Sequence, residues 1–176
     1  MADWNLYNRV DKWNFNQSVV TTAMYVCSDC YDVFVSISNT LYCSMADQHQ
    51  IIAKPLDNIL NPFKIVVGTG VAGSTSSMLS YPYGIFVDIN FDLYVADCYN
   101  DRVQLFHLEE SNGLTVAGST ASGTITLNCP MAFVLDAERY LFIVDYYNQR
   151  VAGSGPNGFR CIVGCSGTSS DYWKWL

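Results

Sequence analysis

The chain has 176 residues, and Asp plus Glu outnumber Lys plus Arg by 16 to 9 for a net charge of −7. The basic residues are spread from Arg9 to Lys174 with no two adjacent, which excludes the clustered cations that a nucleic acid or an anionic membrane surface needs. Half of the residues are apolar and 14% are charged, against a usual charged share of about 25%; no apolar run approaches the roughly 18 residues needed to cross a bilayer.

The first stretch, Asp3–Phe15, reads as the outer half of a sheet, with Val19–Val26 (VVTTAMYV) as its last strand. Cys27-Ser28-Asp29-Cys30 leads into a second unit, from Tyr31 to about Val67, with an internal loop at Lys54–Pro62. Gly68–Leu79 is a Gly/Ser/Thr connector of the kind that joins packed sheets. The third unit is the clearest. Gly84–Asp88, Leu93–Asp97, Arg102–Phe106 and Gly113–Ala117 are short, β-branched and aromatic runs separated by Asn/Asp turns, the pattern of antiparallel hairpins. Ser119–Leu127 is a second connector, the fourth unit ends at Gly164, and a tail runs from Cys165 to Leu176. Met1-Ala2-Asp3-Trp4 lacks the basic start and apolar core of a secretory signal.

The units repeat. Cys129–Val151 lies on Tyr81–Val103 without a gap, placing Pro130 on Pro82, Asp145 on Asp97, Asn148 on Asn100 and Arg150 on Arg102. Tyr31–Ile51 follows the same apolar pattern but has Met45 and Gln50 where the Asp and Arg would stand, and Tyr7–Trp13 matches only the end of the unit. Self-similarity with a period of about 20–50 residues marks a repeat architecture and outranks any single motif.

The pattern Pro-x-Gly-[apolar]-x-Val-Asp … Leu-Tyr-Val-Ala-Asp-x-x-Asn-x-Arg-Val-x-x-[aromatic] resembles the NHL repeat, whose arrays form β-propellers. Residues 82–106 match closely, 130–151 match except for Ala132 in place of Gly, 31–52 match weakly, and the resemblance covers about Tyr31 to Cys165. It implies an all-β fold: one propeller domain over 1–176 of NHL-type four-stranded blades, about three complete (31–67, 82–118, 130–164) plus an outer half-blade (3–27). Gly84–Asp88 would be an inner strand and Leu114–Ala117 an outer one. Six blades are common in this family. The count is thus expected to reflect part of a longer propeller or a chain that associates through open flanks; the alternative is a tail whose Trp173–Leu176 completes a fourth blade.

Asp97 and Arg102 flank a four-residue turn and recur as Asp145 and Arg150, so a fastening between strands or blades is expected rather than two active sites. Asn100 and Asn148 are expected to serve the turn through left-handed backbone and local side-chain bonds. Seven cysteines point to an oxidising compartment. The propeller arrangement puts the loops of Cys98 and Cys129 on one face, implying a bridge. Cys27 and Cys30 are candidates to bridge across their own turn, Cys43 is expected as a buried free thiol, and Cys161 and Cys165 would lie about 13 Å apart on a straight strand, too far to pair. Asn16-Gln17-Ser18 is a single glycosylation sequon.

No catalytic set emerges. His49 and His107, placed in or just after third strands, cannot supply a multi-histidine zinc site, and no GxSxG or phosphate-loop Lys occurs. Asp88, Asp92 and Asp136 are expected to cap turns rather than bind calcium, and no cofactor or metal site is expected. The expected function is a non-catalytic, extracellular interaction module whose loop face binds a protein or glycan. The alternative is part of a lyase- or lactonase-type propeller enzyme with a channel metal site, and the recognition end of a ubiquitin ligase would need a zinc-finger region that this chain does not contain.

Overall fold

The computed structural model describes residues 8–165 apart from 58, 59, 61, 119, 120 and 122. The expected contribution of Trp173–Leu176 therefore lies outside the described residues, as does most of the Asp3–Asn8 stretch. Among the described residues, fourteen strands form one two-stranded and three four-stranded antiparallel sheets. The first sheet pairs Asn8–Asn14 (β1) with Val19–Val26 (β2). Blade I contains Asp32–Val35 (β3), Thr40–Met45 (β4), Gln50–Pro55 (β5) and Lys64–Val67 (β6). Blade II contains Pro82–Val87 (β7), Leu93–Asp97 (β8), Arg102–Phe106 (β9) and Leu114–Gly118 (β10). Blade III contains Pro130–Leu135 (β11), Leu141–Asp145 (β12), Arg150–Gly155 (β13) and Gly158–Val163 (β14).

Within each four-stranded blade the hydrogen-bonded order is the order of the sequence, because connections of two to eight residues bring each strand back beside its predecessor. The blades stack face to face in chain order through three apolar layers. Met24 and Val26 of the first sheet pack on Leu41, Met45 and Ile52 of blade I. Ile51 and Val67 of blade I meet Ile85, Val95 and Phe106 of blade II. Tyr94, Val103 and Leu105 of blade II meet Phe133, Leu141 and Ile143 of blade III. The first strands β3, β7 and β11 lie side by side across the blades, and the last strands β6, β10 and β14 lie farthest from them. This is the radial stacking of a β-propeller, here three complete blades and a two-stranded sheet.

Stacking changes the burial rhythm of strands with the same motif. Every residue of β8 and β9 is buried, because blade II is covered on both faces and on both sides in the plane of the sheet. In β12 buried and less buried positions alternate, with Val144 42% exposed. Two glycines explain how close the packing runs. At Gly84 on β7 a Cβ would press on the backbone of Met131 and Ala132 of β11, so the missing side chain lets two inner strands converge. Gly118 ends β10 at a positive φ of 112° where a Cβ would collide with the Asp101 carbonyl, a conformation that L side chains rarely adopt. Gly68 and Gly164 stand at the matching places in blades I and III, against His49 and Gln149.

The cysteines pair differently from two of the expectations. Cys30 is bonded to Cys43 across blade I, and Cys27 is an exposed free thiol, so the Cys27–Cys30 bridge does not form. The reason is the pairing of β3 with β4: Val33 stands opposite Cys43, and the Tyr31 N–H donates to the Ser44 carbonyl, which holds the segment before β3 against β4 within reach of Cys43, a residue buried as expected but not free. Cys161 and Cys165 are also bonded, their Cα atoms only 5.7 Å apart. β14 stops at Val163, and Gly164 takes a positive φ of 75° that folds the chain back; the straight-strand estimate fails at that turn. Cys98 and Cys129 are bonded, joining blade II to the segment entering blade III.

Candidate functional site

The face of the array that carries the β8–β9 type turns and the connectors between blades is built by a repeated polar clamp. In blade II Asp97 and Arg102 lie opposite each other on β8 and β9, with Arg102 Nε 2.8 Å from Asp97 Oδ2. Both side chains are almost wholly buried. The rest of the Arg102 fork donates to the carbonyls of Ser74, Thr75 and Met78 in the connector. Asp97 also accepts from the Ser80 backbone N–H and from Asn100, and Asn100 donates again to the Gly73 carbonyl. Burial pushes the Asp97 carboxyl up, and these bonds work against that shift. Every charged atom of the pair thus has a partner, as a buried ion pair requires.

Blade III repeats the arrangement more loosely. Arg150 Nε lies 2.7 Å from Asp145 Oδ2, Asn148 donates to the same carboxylate, and Arg150 reaches the Thr126 carbonyl. The Arg150 side chain is 22% exposed. Asn100 and Asn148 act through these side-chain bonds alone. The left-handed residue of each turn is the next one along, Asp101 at φ 53° and Gln149 at φ 53°, which corrects the expected division of labour.

The left-handed residue has a task of its own. Asp101 Oδ1 accepts from the Cys129 N–H, and His49, at φ 54° in blade I, accepts at Nδ1 from the Tyr81 N–H. Each thus ties its turn to the connector entering the next blade. His49 precedes β5 rather than following it, and its ring sits in the turn as a fastening. His107 follows β9 and pairs with Asp92 at 3.0 Å at the opposite end of the blade; that hydrogen bond raises its pKa, with the charge of Asp92 next.

The clamps hold up a surface of tyrosines. Tyr31, Tyr81, Tyr99, Tyr146 and Tyr147 come from the turns and connectors of this face, and Tyr83 from the start of β7 beside them. Tyr31 meets Tyr83 edge-on with ring centroids 5.1 Å apart, Tyr81 lies 4.4 Å from Tyr99 and 4.8 Å from the His49 ring, and Tyr146 meets Tyr147 at 5.1 Å. Tyr31, Tyr99, Tyr146 and Tyr147 are about half exposed. The Tyr31 hydroxyl faces Asp47 at 3.4 Å. The phenol of Tyr83 is raised by burial first and then by its neighbours Tyr31, Tyr99, Asp47 and Tyr147, and that of Tyr31 by Asp47 above all. These tyrosines were the site that the sequence left unmarked. Their signal was position: five of the six stand in turns and connectors, where a strand-forming role cannot account for them.

The opposite end of the inner strands holds a second feature, a cavity of about 470 Å³ lined by Phe34, Phe86, Ile89 and Leu135 with Asp88 and Arg139 at its edge. Asp88 accepts from the N–H groups of Asn90 and Asp92, and Asp136 from those of Glu138 and Tyr140, the turn-capping geometry. Arg139 of blade III bonds Asp88 Oδ2 and the Tyr94 hydroxyl, each at 2.8 Å, and so laces blades II and III.

Comparison with known proteins shows the fold. No family model matches the chain, and no curated protein does. Among solved structures it is similar to an auxiliary nutrient binding protein from Bacteroides thetaiotaomicron (TM-score 0.68, 19% identity, 90% of this chain and 44% of that one). A chain of a nidogen/laminin complex is also similar (0.62, 18%, 82% and 51%). So is a catalytically inactive virginiamycin B lyase from Staphylococcus aureus with quinupristin (0.58, 14%, 88% and 48%). The chain spans about half or less of each, and all three likenesses are to propeller-like proteins.

Proposed function

We propose that the protein is a non-catalytic binding module of NHL type that works in an oxidising, extracellular setting and presents its tyrosine-bearing loop face to a protein or glycan. The single observation that carries this is the surface itself: exposed tyrosines from all three blades, gathered on the face where the clamps of blades II and III and the Cys30–Cys43 bond of blade I fasten the turns. Tyrosine combines a large apolar ring with a hydrogen-bonding tip and few rotamers, which makes it a frequent binding residue. The three disulfides among the described residues support the oxidising location. Neighbours that include nutrient-binding proteins support a binding role. No helix among the described residues is long and apolar enough to cross a membrane.

The test is a paired screen of the wild-type chain and a Tyr99→Ser/Tyr147→Ser double variant against secreted-protein and glycan arrays. Ligands that the wild type binds and the folded double variant loses support the reading. A ligand set unchanged by the double variant would refute it. The terminal sheets expose apolar side chains, Trp13, Val19 and Val20 at one end and Val134, Val144 and Val163 at the other. The module is accordingly proposed to associate through these flanks, and light scattering that shows a monomer at all concentrations would exclude that part.

A further inference from the structure

The tyrosine face has a charge pattern that narrows what it binds. The segments that form it, 27–31, 46–49, 80–83, 98–101, 128–131 and 146–149, contain no lysine and no arginine. Of the arginines that border it, Arg102 and Arg150 donate to connector carbonyls and to Asp97 and Asp145, and Arg9, beside Asp29, pairs with Asp11 at 2.9 Å. Asp29 and Asp47 are exposed on the same side, Asp47 against the Tyr31 hydroxyl and Asp29 bonded to Asn8. Aromatic faces carry the negative part of the ring quadrupole, so a ring cluster with carboxylates and no cation attracts positive charge twice over.

We infer that this face receives a basic side chain from a peptide segment of a protein partner, its cation seated among the Tyr31–Tyr83 and Tyr81–Tyr99 ring pairs and paired with the Asp47 carboxylate. This rests on the reading of the loop face as a binding surface. The guanidinium of arginine fits better than an ammonium. It is planar, stacks on aromatic rings while keeping its edge free for a carboxylate, and is weakly hydrated. A neutral glycan would also stack on tyrosines, but it gains nothing from the exclusion of every lysine and arginine from six separate segments. The geometry also separates the two parts of the site. Tyr83 is the inner ring, packed edge-on against Tyr31, whose hydroxyl faces Asp47, whereas Tyr99 rests on Tyr81 and is more than half exposed.

The experiment uses the full chain and a fluorescein-labelled hexa-arginine peptide, with a hexa-citrulline peptide as the uncharged isostere. Binding is followed by fluorescence anisotropy at about 0.02 M and about 0.15 M salt, a range over which screening of exposed charges grows markedly. The expected result is saturable binding of hexa-arginine, at least tenfold weaker binding of hexa-citrulline, and a loss of about fivefold or more in each of Asp47→Asn and Tyr99→Ala. A Glu109→Gln/Glu110→Gln variant, which removes the same sign of charge at the other end of blade II, is expected to bind as wild type. Equal weakening by that variant would show only the attraction of a net charge of −7 and would overturn the inference. If a neutral glycan binds and is lost in Tyr99→Ala while hexa-arginine does not bind, the cationic assignment is overturned and the binding face stands. If no ligand of either class responds to Tyr99→Ala, both are overturned. Unchanged near-ultraviolet circular dichroism identifies the variants that have kept their fold.

Discussion

Blades I and II fill successive places in the same array, yet they fasten their turns by different chemistry. In blade II the β8–β9 end is the buried pair of Asp97 and Arg102, which reaches into the connector 73–80. In blade I the same register holds Met45 opposite Gln50. Met45 is buried in the layer shared with the first sheet, beside Cys43, and Cys43 is bonded to Cys30 in the connector. One blade holds its entering segment with an ionic fork, the other with a covalent bond and an apolar plug. The comparison teaches that the repeat constrains a task, pinning the connector to the turn, more strongly than it constrains the residues that perform it. A fork needs several carbonyls aimed at it, whereas a disulfide needs one neighbour at the right Cα separation, here 5.4 Å. A degenerate repeat can therefore shed Asp and Arg without losing the blade.

The contrast breaks most sharply at Arg102. Arg102→Ala strands a buried carboxylate and three connector carbonyls. It is expected to cost about 3–5 kcal/mol and to lower Tm by roughly 10 °C; a thermal melt that superimposes on wild type would remove the clamp from the account. Removing the Cys30–Cys43 bond in a Cys30→Ser/Cys43→Ser variant should cost less, about 3 kcal/mol for a loop of this size. Its loss should appear first as faster amide exchange in residues 30–45, with blade II unchanged. Exchange that rises equally in both blades would mean the bond serves the whole array. Arg150→Ala is expected to fall lower still, about 1–3 kcal/mol, because the Arg150 side chain is partly solvated and water can take over part of its bonding. A cost matching that of Arg102→Ala would show that partial exposure is not what separates the two clamps.

The smallest effect concerns His107. The folded state raises its pKa through Asp92, so its contribution to stability is fully present below the unfolded pKa and is lost as pH rises through the folded one. An NMR titration of the ring should show the midpoint returning toward the ordinary value in Asp92→Asn, and a midpoint that does not move would assign the shift elsewhere.

Much of the architecture was legible in the chain. Short β-branched and aromatic runs bounded by Asn and Asp marked most of the strands, and the gapless match of Cys129–Val151 to Tyr81–Val103 marked the blades, since strand preference and turn chemistry are local properties written residue by residue. Two disulfide expectations failed for a physical reason of the opposite kind. Whether Cys30 meets Cys27 or Cys43 depends on how the segment before β3 is held against β4, and whether Cys161 meets Cys165 depends on one left-handed glycine at the end of β14. Neither is visible in spacing. The tyrosine face was missed for a related reason. Its members are scattered from Tyr31 to Tyr147, and only the stacking of blades brings their turns to one side.

What the sequence determined by itself was the unit: four short strands, the turns between them and the recurring Asp, Asn and Arg. What tertiary structure decided was the meaning of each position. The same Leu-x-x-x-Asp strand is buried at every residue in blade II and alternates in blade III, because burial belongs to the neighbours that cover a strand. The acidic, lysine-free character of the loop face arises in the same way, from six short segments that only the packed blades bring together.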